Sequence, residues 1–227
     1  MGTEGTEGDA LGRLISVNVG RPRTVSWFGR QVRTAIWKSP VDGVVAVQGV
    51  NLAGDDQADR RVHGGPDKAV YAYAVEDYRW WATEIGRVFD PDTFAAGTFG
   101  ENLTTEGVEL PAAVVGEHWT IGSVTLEVSQ PRLPCFKLGI RLGDAEFVDL
   151  FDRVGRFGTY LRVIADGELR AGDQIVASHR PDHGLNIGDL IRAHHDPDVD
   201  LMARIASTPD VPEGWRAMAA RAVKRAR

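Results

Sequence analysis

The sequence predicts a β-rich α+β protein with a barrel-like or sandwich-like core and a few helices, followed by a small unit of three helices. Two observations support this class. Across residues 14–177, short runs rich in Val, Ile and Thr alternate with turns marked by Gly, Pro and Asp. After residue 184 the apolar spacing becomes helical, with prolines between the segments.

The predicted strands are short and closely spaced, as in a β-barrel or a sandwich-like core. They lie at residues 14–20, 24–29, 31–37, 43–52, 69–74, 114–130, 158–167 and 173–178. One helix is expected over residues 76–89, where Tyr78, Trp81 and Ile85 form an apolar stripe that would pack on the core. A second short helix is expected around residues 146–153.

The pattern divides the chain into three parts. Residues 1–13 are acidic and Gly-rich and are expected to form a disordered leader. Residues 14–180 would form the β-rich domain, and residues 181–227 the three-helix unit. The boundary is placed in the polar, Pro- and Gly-marked stretch SHRPDHG at residues 178–184.

Composition narrows the function classes. The 227-residue chain has a formal net charge of −6, which disfavours a general nucleic-acid binder. No apolar run is long enough for a transmembrane helix, and the leader lacks the basic and apolar regions of a signal peptide. We therefore expect a cytoplasmic protein that is not bound to a membrane.

The chain contains one cysteine, Cys135, in the segment SQPRLPCFKLG. A single cysteine excludes an intrachain disulfide and a CxxC motif, and it disfavours a zinc site. The thiol is either buried and inert or reactive. Arg132 and Lys137 flank it, and cations near the sulfur would favour the thiolate that ligates soft metals. A Cys–His pair with His63 or His118 stays open.

A second motif is the turn RRVHGGPDKAVYAY at residues 60–73. Gly64 and Gly65 would let backbone N–H groups approach an anion, with His63 just before the turn and Lys68 just after Pro66-Asp67. The motif is not a GxxxxGK[ST] phosphate loop. His63 could equally be a turn histidine bonded to the backbone.

Two further positions are candidates. Asn102, in the turn GTFGENLTTEG, would either hydrogen-bond a heterocycle or cap its own turn, and the residues alone favour the cap. Lys38 would share a strand face with Thr34, although such a cation is more often a surface charge. The pair His194-His195 is typical of a polar helix end rather than a metal site.

These stretches occur together and in order, and they resemble the MOSC family, which is related to the C-terminal part of molybdenum cofactor sulfurases. The matching text is VNVGRPRTV, GDDQADRRVHGGPDKAVYAY, GTFGENLTTEG, SQPRLPCFKLGIR and GTYLRVIADGELRAGDQI. The likeness to the YiiM-type subfamily covers residues 14–188 as the domain and the remainder as a three-helix appendage.

The resemblance implies a β-barrel-like fold that carries a molybdenum–molybdopterin cofactor. It implies that Cys135 is the thiolate ligand of the metal or a sulfur carrier. It further implies reduction of N-hydroxylated compounds, such as hydroxylaminopurines or amidoximes, to amines, with electrons from a separate donor protein. Two alternatives remain: a sulfurtransferase that holds a persulfide on Cys135, and a non-catalytic carrier of the cofactor.

Given this resemblance, the chemistry of the implied reaction suggests roles for the candidate residues. His63 or Lys38 would donate a proton to the substrate, and Cys135 would hold the metal. The cofactor would be bound by two turn glycines, by an amide that could instead meet the substrate, and by four cations that could instead tune the thiolate: Gly64, Gly65, Asn102, Lys68, Arg132, Lys137 and Arg162.

Overall fold

The computed structural model describes residues 8–58, 64–84 and 95–226. In chain order its strands are β1 (Asp9–Val19), β2 (Arg23–Trp27), β3 (Arg30–Thr34), β4 (Ser39–Pro40), β5 (Val45–Gln48), β6 (Asn51–Leu52), β7 (Val70–Ala74), β8 (Leu103–Glu106), β9 (His118–Ile121), β10 (Val124–Pro131), β11 (Thr159–Ala165), β12 (Gly167–Leu169) and β13 (Gln174–His179). Its helices are α1 (Val75–Glu84), α2 (Phe136–Leu142), α3 (Phe147–Val154), α4 (Ile187–His195), α5 (Val199–Ser207) and α6 (Glu213–Ala226).

Seven strands form a closed, mixed barrel in the order β13-β9-β10-β11-β7-β8-β1, and pairing between β1 and β13 closes it. The β7–β8 pair is parallel, and the other neighbours in the barrel are antiparallel. Strands β5, β6 and β12 form a separate three-stranded sheet, and β2 and β3 form a two-stranded ribbon. The predicted β-rich α+β class is therefore confirmed, with a barrel as its core.

The first barrel strand begins earlier than the sequence predicted. Strand β1 starts at Asp9 and pairs with β13 from that residue onward. Its pairing shifts register near Gly12, where a side-chain carbon would lie 2.2 Å from the carbonyl oxygen of Glu106. Only glycine allows this close approach. Residues 9–13 are thus part of the barrel rather than of a disordered leader, and residues 1–7 lie outside the described residues.

The barrel interior is apolar and fully buried. Successive side chains of a strand point to opposite faces of the sheet, so every second residue faces the interior. The large buried side chains on these strands include Leu14, Trp119, Ile121, Leu126, Leu161 and Ile175. An aromatic cluster packs α1 and α3 beside β7, and within it Trp81 donates a 2.7 Å hydrogen bond to the hydroxyl of Tyr73. Tyr78 and Trp81 are buried on α1, as predicted, whereas Ile85 lies outside the described residues.

The three predicted C-terminal helices are present as α4, α5 and α6. They do not form a separate core, because Leu190, Ile205 and Trp215 belong to the same apolar cluster as the barrel interior. Trp215 also donates a 3.0 Å hydrogen bond from its indole nitrogen to Gln130 on β10. The boundary predicted at residues 180–181 therefore marks a change in secondary structure and not a break between hydrophobic cores.

Among the described residues, the longest helix is α6, with 14 residues. Across residues 8–58, 64–84 and 95–226, the structure contains no helix with the length and apolar character needed to cross a membrane.

Candidate functional site

A cleft lies where five segments of the chain converge. Its walls come from residues 34–38, residues 55–58, the start of β7, the turn at residues 100–102 and the segment at residues 132–137, with Tyr160 from β11. The cleft is partly open to solvent, and its lining combines cationic, acidic and aromatic side chains with one cysteine.

Cys135 lies on this cleft and is only partly buried. It is the N-cap residue of α2, with an extended backbone and no side-chain capping hydrogen bond. The sulfur is therefore not used to hold the helix. The thiol is placed at the end of α2 where the helix dipole is positive, on the wall of a cavity. This placement favours the reactive interpretation of the lone cysteine over the buried, inert one.

Arg132 is the charged neighbour of that sulfur. Its Nη2 atom lies 3.9 Å from Sγ of Cys135, and its guanidinium carbon lies 5.6 Å from the centre of the Tyr71 ring. Burial alone would lower the pKa of Arg132, but the adjacent Cys135 and tyrosine side chains outweigh it and raise the pKa. Arg132 thus carries a permanent positive charge beside the thiol.

The same guanidinium has an unused donor. Arg132 is 6 % exposed, and its Nη1 atom is buried with no hydrogen-bond partner among the described residues. An unsatisfied buried donor on a charged group is costly, and such groups in native proteins call for an explanation. An anion in the cleft would provide the missing acceptor.

Two lysines add to the positive charge of the cleft. Lys68 and Lys137 both line it, the first after the turn of residues 64–67 and the second in the first turn of α2. Burial lowers the pKa of Lys68, whereas the nearby Asp67 and Cys135 act to raise it. Lys68, Arg132 and Lys137, which were predicted as cofactor-binding cations, are therefore brought together around Cys135.

Lys38 also lines the cleft, but it is not a surface charge. Its ammonium group lies 2.5 Å from both carboxylate oxygens of Asp55, and the two side chains are only 8 % and 2 % exposed. Burial lowers the pKa of Lys38, and the carboxylate of Asp55 opposes this shift. The result is a buried ion pair on the wall of the cleft.

Sequence reasoning did not single out Asp55. The backbone N–H of Gly20 donates to it at 2.8 Å, and the side chain of Asn102 donates to it at 2.9 Å. Asp55 stands in the segment GDDQAD at residues 54–59, where two adjacent acidic residues follow a predicted strand. Nothing local distinguishes it from a turn aspartate, because its partners lie 17 to 47 positions away.

The preferred interpretation of Asn102 as a local cap is wrong. Its side-chain oxygen accepts a 3.2 Å hydrogen bond from the backbone N–H of Tyr71, and its nitrogen donates to Asp55 and, at 3.3 Å, to the carbonyl of Asn18. The amide therefore links β1, β7 and the Asp55 loop. Asn102 lines the cleft mainly as the residue that positions Asp55.

Arg162, which was predicted to bind the cofactor, lies outside the cleft lining. Its Nε donates to Asp67 at 2.6 Å, its Nη1 donates to Glu127, and both Nη atoms reach the carbonyl of Asp210 at 3.1 Å. Carboxylates already occupy this guanidinium, so it is not available to a cofactor. Its role is to hold the turn that carries Lys68.

The glycines of the HGG turn are likewise not in the cleft lining. Gly65 has a positive φ of 87° and its N–H donates to the side chain of Gln57 at 3.4 Å, so this N–H is already used within the protein. Gly64 is half-buried next to it. His63 lies outside the described residues.

The other histidines lie elsewhere. His118 is on β9, where its Nε2 atom lies 3.1 Å from Glu127, so the Cys–His pair with Cys135 is not formed by this residue. His194 and His195 end α4 and face Asp152, with Nε2–Oδ1 distances of 3.0 and 3.5 Å. Their position at a polar helix end is as predicted.

The cleft thus combines one soft ligand, a group of cations and a buried ion pair. Cys135 offers a sulfur of the kind that binds soft or redox-active metals. Arg132, Lys68 and Lys137 offer donors for a phosphate or another anion. This set suits a ligand that carries both a metal centre and a negatively charged tail.

Known proteins resemble this chain in sequence. The model of the MOSC domain family matches residues 59–176. Protein YiiM of Escherichia coli is 34 % identical over 183 residues, which is 80 % of this chain and 81 % of that protein. A protein of Gibberella moniliformis named "Reductase" is 33 % identical over 202 residues, which is 87 % of this chain but 35 % of that longer protein.

The fold is similar to a solved structure as well. The crystal structure of YiiM from Geobacillus stearothermophilus superposes with a TM-score of 0.74 at 29 % identity, covering 93 % of this chain and 98 % of that one. The alignment therefore includes both the barrel and most of the helical unit. With the barrel, the ordered motifs and the family match in agreement, the chain belongs to the MOSC domain family and is of the YiiM type.

Proposed function

We propose that this protein binds a molybdenum–molybdopterin cofactor in the cleft and reduces N-hydroxylated compounds to amines with electrons from a separate donor protein. Membership of the MOSC family and a relative that is named a reductase support this proposal. The observation that carries it is the pairing of Cys135 with the buried, partly unsatisfied Arg132. We further expect the protein to act in the cytoplasm.

The residues of the cleft fit such a cofactor. A thiolate is a suitable ligand for molybdenum, and Cys135 lies on the cleft wall without a structural role for its sulfur. The buried Nη1 of Arg132 lacks an acceptor that a phosphate oxygen would supply. Lys68 and Lys137 would add further charge-assisted contacts, each with a free energy of about 1.5–3 kcal/mol.

The remaining chemistry can be assigned to groups of this chain. When bound, the cofactor supplies the two-electron reduction that breaks the N–O bond. The net reaction, R–NHOH with two electrons and two protons giving R–NH₂ and water, also needs protons at the cleft. Lys38 holds one at Nζ, hydrogen-bonded to Asp55, and burial lowers its pKa and so makes it a stronger acid. Asn102 fixes the orientation of Asp55 and hence of this proton.

The test is to express the protein in a molybdenum-replete host and to measure its molybdenum content by elemental analysis. Turnover of benzamidoxime or 6-N-hydroxylaminopurine is then assayed with a chemical reductant. We expect near-stoichiometric molybdenum and amine product. Stoichiometric molybdenum without product would indicate a carrier. Absent molybdenum, with persulfide formation on Cys135 by a cysteine desulfurase, would indicate a sulfurtransferase.

A further inference from the structure

The ribbon formed by β2 and β3, residues 23–34, stands apart from the barrel sheet. Its strands pair in register from Arg23 with Thr34 to Trp27 with Arg30, so that a two-residue loop of Phe28 and Gly29 joins them. Neither strand has a partner in another sheet among the described residues. Strand pairing with the barrel therefore does not account for the tip of the ribbon.

Phe28 is in an unfavourable backbone conformation at that tip. Its φ is 45°, and it is the one non-glycine residue with positive φ in the part of the chain that the structure describes. Gly29 follows with a φ of 75°. Two-residue loops with positive φ at both positions favour Asn, Asp or Gly, and a bulky residue there is a clear outlier.

The strain at Phe28 is not offset by burial of its side chain. Phe28 is 81 % exposed, and its ring meets the Trp27 ring edge-on, at 4.8 Å between centroids. The strained backbone lowers the stability of the fold, and the exposed aromatic ring gains no free energy from burial. Strained backbone conformations of this kind cluster at active sites, ligand clamps and switch regions.

The ribbon is also strongly basic, although the whole chain is acidic. Residues 20–38 contain five cationic side chains and no carboxylate, against a net charge of −6 for the protein. The four arginines of this segment are exposed, and none forms an ion pair with any described carboxylate: Arg21, Arg23, Arg30 and Arg33. The guanidinium of Arg23 stacks 3.6 Å above the Trp37 ring, which holds it in place.

The ribbon continues directly into the cleft. Strand β3 ends at Thr34, and Thr34, Ala35 and Ile36 all line the cleft, with Lys38 two residues further on. A partner seated on the ribbon would therefore lie next to the candidate cofactor site. Arginine and aromatic residues are the types most enriched at protein interfaces, and complementary charge speeds association.

We propose that residues 23–34 are the docking surface for a small acidic electron-transfer protein, with Phe28 as its apolar anchor. The proposal rests on the proposed function, because that function needs an external donor. A small ribbon suits a transient redox complex, since such complexes bury little surface. The basic charge of the ribbon favours an acidic partner. Because the ribbon lies beside the cleft, the partner is expected to be a protein that exchanges electrons with a group in the cleft.

The experiment measures binding of two purified probes, an acidic flavodoxin and an acidic [2Fe–2S] ferredoxin, by titration calorimetry. We expect binding of at least one probe at about 0.1 M salt and its loss near 1 M, because the Debye length falls from about 10 Å to 3 Å. Phe28→Asn should weaken binding about tenfold. The same change should raise the thermal midpoint, because Asn fits the loop better than Phe.

The double variant Arg30→Gln, Arg33→Gln should slow association and flatten the salt dependence. Arg221→Gln is the matched control, since Arg221 is an exposed arginine on α6, outside the ribbon. It should bind the probe like the parent. Failure of the parent protein to bind either probe, or equal binding by Phe28→Asn and the parent, would overturn the proposal.

A second readout separates this proposal from the proposed function. Reduced methyl viologen needs no docking surface, so Phe28→Asn should match the parent with this reductant and fall behind it with the protein donor. If the parent is inactive with methyl viologen, the proposed function fails while the binding data still decide the docking surface. Binding of single-stranded DNA, or self-association that Phe28→Asn abolishes, in place of probe binding would assign the ribbon to another partner.

Discussion

Replacing Cys135 by serine should separate the chemistry of the thiol from its contribution to the fold. Cys135 is the N-cap of α2 with φ −144° and ψ 157°, and its side chain makes no capping hydrogen bond. Serine is among the best N-cap residues, and loss of such a cap costs about 0.5–2 kcal/mol. The change from sulfur to oxygen at this position can therefore add a stabilising contact.

The size of that gain follows from the local hydrogen bonds. The N–H of Leu138 already donates to the backbone carbonyl of residue 135 at 2.9 Å, so one of the helix donors near the cap is partly used. We therefore expect a gain at the low end, about 0.5 kcal/mol. Because about 1 kcal/mol shifts the thermal midpoint by roughly 2–4 °C in a protein of this length, the shift should be about 1–2 °C.

Whereas Cys135→Ser should slightly raise thermal stability, it should weaken metal binding. A serine hydroxyl is a hard ligand that stays protonated near neutral pH, so it cannot replace a thiolate on molybdenum. We expect molybdenum content and reductase turnover to fall to background. Melting curves should be compared between cofactor-free samples, because bound cofactor would itself stabilise the parent.

Cys135→Ala is the control, since it removes the thiol without adding a capping oxygen. It should lose the metal like the serine variant but melt below it. If Cys135→Ser melts well below the parent yet keeps its turnover per bound molybdenum, the thiol is a packing group and the reasoning fails.

Three further changes test other parts of the structure. Lys68→Ala should lower molybdenum occupancy more than stability, through loss of about 1.5–3 kcal/mol of binding, and unchanged occupancy in a folded variant would remove Lys68 from the site. Asp55→Asn should destabilise the protein by about 3–5 kcal/mol, because the buried ammonium of Lys38 loses its counter-ion. Burial lowers the pKa of Lys38 in the folded state, so the folded variant binds fewer protons than the unfolded chain. The free energy of unfolding of the variant should therefore recover as the pH rises towards the usual lysine pKa. A loss of unfolding free energy that is the same at every pH, measured by denaturant unfolding, would contradict this. A chain that ends at Arg180 should be insoluble or non-cooperative in melting, because it lacks Trp215 and the rest of the helical part of the core, and a soluble, cofactor-binding fragment would contradict the continuous core.

Much of the fold could be predicted from the sequence because the signals are local. Alternating Val, Ile and Thr between Gly and Pro marks most of the strands, and the prolines at 197, 209 and 212 separate the last three helices. Helix α2 was missed because its seven residues begin directly after Pro134-Cys135 and are too few to show a period. The start of β1 at Asp9 was missed because its first residues are small or polar and pair through their backbone.

The candidate site was predictable where the residue type itself carries the signal. A lone cysteine between cations marks Cys135 and Arg132, and both lie on the cleft. The roles of Asp55 and Arg162 could not be predicted from the local sequence, because each depends on partners far along the chain. Asp55 gains its role from Lys38 and Asn102, whereas Arg162 is engaged by carboxylates that no local pattern reveals.

The engagement of Arg162 has a consequence for building chimaeras between members of this family. Its guanidinium joins Asp67 in the turn before Lys68, Glu127 on β10 and the carbonyl of Asp210 between α5 and α6. A graft that exchanges the helical tail would therefore replace one of the two groups, Glu127 and the carbonyl of Asp210, that hold Arg162 against the turn before Lys68. Tails should be interchangeable only between parents whose α5–α6 connection presents a carbonyl at the same place, whatever their overall identity.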